Sequence, residues 1–194
     1  LHLSVHSFPT RRSSDLYFAL DSISSQRCEY RNGEVHCMGG AQPEHNSLCV
    51  NLLAELRFGL RARGCRPFGS DQRVRVSTGS PYLYPDLSVA CDPAFVTING
   101  LRTLVNPVLI IEVTSPSTAR EDRGAKFLQY QTIETLVDYV LVDSTAIGVL
   151  HYRTQGALWS PQLCEQPADE LVLDELVLSI PLATIYAESG IGGA

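Results

Sequence analysis

Apolar residues recur every four positions at Leu48, Leu52, Leu56 and Leu60, with Cys49 and Leu53 widening the stripe. The spacing predicts an amphipathic helix over 43–64, opened by Pro43 at a first helical position and closed by Gly64. Pro107-Val-Leu-Ile-Ile-Glu-Val113 is a near-continuous apolar run, which predicts a strand covered on both faces. Leu136 to Val142, ending at Asp143, predicts a second central strand. Between these two, Ser115-Pro116 stops the first strand, and Thr118-Ala-Arg-Glu121 has the form of a capping box opening a helix over 118–133.

Shorter alternating segments fill the rest. A hairpin is expected over 28–38, because Asn32-Gly33 supplies the two positive-φ positions of a type I′ turn. Arg73-Val-Arg-Val76 alternates like a half-exposed strand, Gly79-Ser80-Pro81 makes a turn, and 86–91 forms a short strand after Pro85. Residues 92–100 read as a surface loop. A strand follows over 147–153, Gly156 turns the chain into Leu158-Trp159, and 171–180 and 181–186 close the domain. The order of helix, strands, helix and strand predicts an α/β fold: one mixed sheet flanked by helices, with an N-terminal β-hairpin.

The chain of 194 residues, 44% hydrophobic and 19% charged, can bury a core as one domain. No apolar run approaches the roughly 20 residues of a membrane helix. Residues 1–16 do not begin with Met and carry His6-Ser-Phe-Pro-Thr-Arg-Arg-Ser-Ser-Asp-Leu16, which reads like a translated sequencing adapter. They are set aside as non-native, which leaves a domain over 17–188 and a tail over 189–194. The six cysteines include no Cys-x-x-Cys pair. This pattern predicts buried thiols in a reducing, cytoplasmic compartment.

The net charge of −6 is unlike that of dedicated nucleic-acid binders. Six arginines (Arg57, Arg61, Arg63, Arg66, Arg73, Arg75) nevertheless form a basic band, whereas the chain after Cys164 carries acids and no cation. The band is either a phosphate-contacting surface or a solvated helix end.

Three residues stand out chemically. Glu112 lies inside the most apolar strand, where a carboxylate must be paired, protonated or bound to a cation, unless it sits at the strand's exposed end. Asp86 opens the neighbouring strand, either as a turn acceptor or as a second acid beside Glu112. Two acids converging on a covered sheet with oxygen-only donors suit Mg²⁺ or Mn²⁺. Of fifteen cationic residues, Lys126 is the sole lysine. At i, i+4 and i+8, Asp122, Lys126 and Tyr130 share one helix face, so an ordinary ion pair is the alternative to a catalytic ammonium.

Together, Pro85-Asp86, Glu112-Val-Thr-Ser-Pro-Ser-Thr118, Asp122-Arg-Gly-Ala-Lys126-Phe-Leu-Gln-Tyr130 and Asp138-Tyr-Val-Leu-Val-Asp143 resemble the "putative restriction endonuclease" domain family. That family is a bacterial branch of the PD-(D/E)XK nuclease superfamily. Gly33-Glu34 and Pro43-Glu-His45-Asn46 match as well, and the resemblance spans about 17–186. It implies a Mg²⁺-dependent endonuclease acting on DNA, with Asp86 and Glu112 as metal ligands and Lys126 as the catalytic amine. Most of the superfamily carries its lysine two residues after the second acid, where this chain has Thr114; in the branch the lysine lies on the following helix. Glu34, His45, Ser115 and Tyr130 are the accessory candidates. A homodimer would suit cleavage of both strands of a duplex. The competing reading is a DNA-binding or interaction domain that has lost catalysis. A carboxylate-pair glycosidase is disfavoured by the scarcity of aromatic residues.

Overall fold

The structure, a computed structural model, describes residues 17–18, 28–31, 34–37, 40–76, 82–116, 118–156 and 158–192, with the backbone alone at Arg31, Glu34, His36 and Cys37. Among the described residues no helix is long and apolar enough to cross a membrane.

The core is a six-stranded mixed sheet built on β9 (Leu109–Thr114) and β10 (Asp138–Asp143), which run parallel. β6 (Leu87–Cys91) and β3 (Cys65–Gly69) extend one side antiparallel, and β11 (Val149–Gln155) and β12 (Leu158–Cys164) extend the other. All six residues of β9 are buried, as expected of a strand covered on both faces.

Side chains alternate across the sheet. On one face Leu109, Ile111 and Val113 pack against Leu48, Leu52 and Leu56 of α1 (Pro43–Gly59), with the hairpin of β13 (Glu170–Leu173) and β14 (Leu178–Pro181) beside them. Ile110, Tyr139 and Leu141 project from the other face and meet Val74, Leu83 and Leu104. Those three come from a second sheet, ordered β2 (Glu34–Cys37), β1 (Cys28–Arg31), β5 (Tyr82–Leu83), β4 (Val74–Arg75), β8 (Leu101–Leu104) and β7 (Phe95–Ile98). The α/β class with a mixed central sheet and an N-terminal hairpin holds; the hairpin belongs to a second layer, so that among the described residues the one sheet expected becomes two six-stranded sheets plus a two-stranded one. Periodicity shows which residues are inside; it does not show which strands pair.

Other expectations are revised locally. The expected loop over 92–100 is instead β7 and the turn that pairs it with β8, with Asn99 at φ 49° and Gly100 at φ 78°. The helix expected to reach Gly64 ends at Gly59, and Leu60 stays buried through the turn that follows. Over 118–133 the helix is interrupted: α2 (Ala119–Glu121), a π-helical turn (Asp122–Lys126) and α3 (Phe127–Tyr130) follow one another. The capping box does not form, since Thr118 Oγ1 accepts from the Ser115 N–H at 3.0 Å. A last short helix, α4, spans Leu182–Ile185. Cys65 lies directly opposite Cys91 across β3 and β6, and the two are disulfide-bonded, contrary to the expectation of free thiols throughout. The turns at Asn32-Gly33 and at 79–81, and residues 1–16, lie outside the described residues.

Candidate active site

Strand register brings the acids together. Leu87 pairs with Ile111 and Ser88 with Ile110, so continuing the ladder by one residue sets Asp86 opposite Glu112. Asp86 Oδ2 accepts the Val113 N–H at 2.8 Å, which ties its carboxylate to the backbone beside Glu112. The same oxygen accepts from His45 Nε2 at 3.3 Å. His45 stands on the first turn of α1, and four residues on Cys49 Sγ lies 3.6 Å from its Nδ1.

Glu112 is 3% exposed and projects among aromatic side chains. Its Oε1 accepts from Lys126 Nζ at 3.1 Å and from the Tyr130 hydroxyl at 3.0 Å. Lys126 also approaches Asp122 Oδ1 at 3.5 Å and Glu29 Oε1 at 3.6 Å. Glu29 comes from β1 in the second sheet, where it also accepts the Tyr84 N–H at 2.9 Å. The π-helical turn carries Lys126, and Tyr139 donates to the Asp122 carbonyl within it at 2.8 Å. A π-turn is rare and concentrates at functional sites.

Three carboxylates (Glu29, Glu112, Asp122) thus surround one ammonium, with Asp86 and the His45 imidazole alongside. Burial, only partly offset by Lys126 and reinforced by Asp86, Asp122 and Glu29, pushes Glu112 up to about 8. Burial also raises Asp122. Burial works against the Lys126 ammonium, but Glu112, Glu29 and Asp122 outweigh it and hold it above the usual lysine value. The hydrogen bond to Asp86 raises His45. The cluster is short of positive charge, and a further cation would relieve it.

Of the residues singled out from the sequence, Asp86, Glu112, Lys126, His45 and Tyr130 converge here. Ser115 sits in the turn before α2, where its carbonyl accepts from Thr118 and Ala119. The Glu34 side chain lies outside the described residues. Thr114, at the usual lysine position of the superfamily, turns its hydroxyl to the Val142 carbonyl at 3.4 Å. Sequence reasoning missed Glu29, and its only local signal was an acid between Cys28 and Tyr30 in a strand that folds into the core.

The basic band disperses. Arg73 is buried, with its guanidinium over Tyr82 and bonded to Thr103 Oγ1 at 2.9 Å, so at this position the band is neither a phosphate contact nor a solvated helix end. Arg63 ties the β13–β14 turn through the Leu176 and Val177 carbonyls. Arg57, Arg61 and Arg66, joined by Arg102, line a surface cavity of about 630 Å³.

The profile of the Uma2 family, described as "Putative restriction endonuclease", matches residues 15–184. The chain belongs to the Uma2 family. It is 32% identical over 180 residues to the uncharacterized protein slr1290 of Synechocystis sp. (strain ATCC 27184 / PCC 6803 / Kazusa), covering 92% of this chain and 93% of that protein. The uncharacterized protein sll1609 of the same strain is 34% identical over 140 residues, covering 72% and 79%. A crystal structure of a "putative nuclease belonging to DUF820" from Anabaena variabilis ATCC 29413 superposes with a TM-score of 0.70 at 18% identity, covering 84% of this chain and 92% of that one. The fold is therefore that of a nuclease-like Uma2 domain, and the family is one of nucleases by its description.

Proposed function

We propose that this Uma2 chain is a Mg²⁺- or Mn²⁺-dependent endonuclease that hydrolyses phosphodiester bonds in DNA. The observation that carries the reading is the sole lysine of the chain, buried with its ammonium on Glu112 beside the strand end where Asp86 is fastened. Uma2 membership supplies the nuclease class, and with it a nucleic-acid substrate.

Asp86 and Glu112 are the residues that would hold the ion. Among the described residues, hydrogen bonds to Asp86 fall on Oδ2 and those to Glu112 on Oε1, so each carboxylate keeps a second oxygen for ligation. Hard oxygen donors in a cluster short of positive charge fit Mg²⁺ or Mn²⁺. Such an ion, when bound, polarises the phosphate and acidifies water. Lys126 places a positive charge where negative charge builds on the phosphorus oxygens. Glu29 and Asp122 keep that ammonium protonated and aimed, and Tyr130 holds Glu112 in its rotamer. His45 orients Asp86.

The cavity lined by Arg57, Arg61, Arg66 and Arg102 supplies contacts for the DNA backbone away from the acids. A two-fold pair of chains is the simplest arrangement for cutting both strands.

Nicking of supercoiled plasmid with Mg²⁺ or Mn²⁺ tests the reading. Wild type is expected to nick, while Glu112→Gln, Asp86→Asn and Lys126→Ala lose activity by about a hundredfold or more. No cleavage by wild type, or undiminished cleavage by these variants, would end the catalytic claim and leave a binding module on the same fold.

A further inference from the structure

We propose that His45, Cys49 and Asp86 form a second metal site, selective for a soft or borderline ion such as Zn²⁺, whose occupation withdraws Asp86 from the nuclease centre. The site stands on its own geometry; only the inhibitory consequence rests on the nuclease reading.

The donors are an imidazole nitrogen, a thiol sulfur and a carboxylate oxygen, with ligand atoms all within 4.8 Å of one another. Two of them are set by the helix: His45 and Cys49 are four residues apart on α1, hence on one face, and already meet at 3.6 Å. The third is set by the sheet, because the Val113 N–H fastens Asp86 at 2.8 Å. Little ordering is left for the ion to impose. The His45 and Asp86 side chains keep 18% and 20% exposure, so the group is open to entry from solvent.

A tetrahedral Zn²⁺ with bonds of about 2.0–2.3 Å needs donors roughly 3.3–3.7 Å apart, so the three must close by about an ångström. Sulfur and imidazole select Zn²⁺, Co²⁺ or Cd²⁺ over Mg²⁺, which takes oxygen. Three protein ligands leave a fourth position for water. The thiol is no nucleophile here, since burial, with Asp86 and Glu112 adding to it, keeps it protonated. On binding, the Sγ proton leaves to solvent as the metal–sulfur bond forms. Asp86 is the ligand common to both sites, so a soft ion on His45 and Cys49 competes with Mg²⁺ for that carboxylate.

The test uses the whole chain, stripped of metal and titrated with Co²⁺. One equivalent is expected to produce a near-ultraviolet thiolate-to-cobalt charge-transfer band. The band should vanish in Cys49→Ser, and Zn²⁺ affinity there should fall by about tenfold or more against a chromophoric chelator. It should persist in Cys164→Ser, the other free thiol among the described residues, and in Glu112→Gln. No band in wild type, or a band that survives Cys49→Ser, overturns the site. In the nicking assay Zn²⁺ should suppress Mg²⁺-dependent cleavage, at about tenfold higher concentration in Cys49→Ser. Equal inhibition of both proteins overturns the link to Asp86. The cobalt band needs no nuclease activity, so failure of this site and failure of the nuclease reading are told apart.

Discussion

Replacing Lys126 by methionine removes the one ammonium from among three buried carboxylates while keeping most of the side-chain volume. At 3.1 Å from Glu112, with an effective dielectric of about 20, the attraction to that acid alone in its ionised form is about 5 kcal/mol. Desolvation of the ammonium already consumes part of this in the wild type. In the variant Glu112 retains a proton, because burial and its acidic neighbours already push it up to about 8 with Lys126 in place. That protonation limits the damage. The expected net loss is about 3–5 kcal/mol, against a total stability of about 5–15 kcal/mol for such a domain. Urea denaturation at about pH 9 in chelator, where Glu112 of the wild type is ionised, followed by Trp159 fluorescence, measures it. A double-mutant cycle with Glu112→Gln should give a coupling of about 2 kcal/mol, against less than about 1 kcal/mol for an exposed pair. A loss below about 1 kcal/mol, or a coupling within error of zero, would show a solvated ammonium and refute the buried cluster.

Metal-free stability should depend on pH through Glu112: its folded value is raised from 4.5 to about 8, so its contribution is full below about 4.5 and is lost as pH rises towards 8. Thermal melts in chelator from pH 5 to 8 should show this slope, flattened in Glu112→Gln; an identical slope in both refutes it. Tyr139→Phe deletes the 2.8 Å bond to the Asp122 carbonyl, and a stability loss of about 1–2 kcal/mol is expected. Nicking should fall with it as the π-turn relaxes and Lys126 shifts, and unchanged activity would dissociate the turn from the site. Cys65→Ser opens the bridge to Cys91, 26 residues away, and should cost about 3–4 kcal/mol by loop entropy; a melt insensitive to reductant in wild type would contradict the bridge.

The sequence was most legible where one periodicity dominated. Leu48, Leu52 and Leu56 announced α1, and the run through Ile110 and Ile111 announced β9, because each element buries a continuous apolar face. Asp86, Glu112 and Lys126 were legible for the opposite reason: each is charged where the pattern demands apolar or arginine residues. Pairing was not legible. Glu29 reaches Lys126 only because β1 joins a second sheet packed over the first, and Cys65 meets Cys91 only through the β3–β6 register. The π-turn was hidden too, since five residues wound wide read like five residues wound normally.

Lys126 holds the only side-chain amine among 194 residues, at 8% exposure. Reductive methylation with formaldehyde and cyanoborohydride therefore has one internal target, clamped among acids and reachable only when the packing around it opens. The growth of that single dimethyl mark in a mass spectrum is a clock for opening of the buried cluster, readable without substrate and slowed by whatever ligand holds it shut.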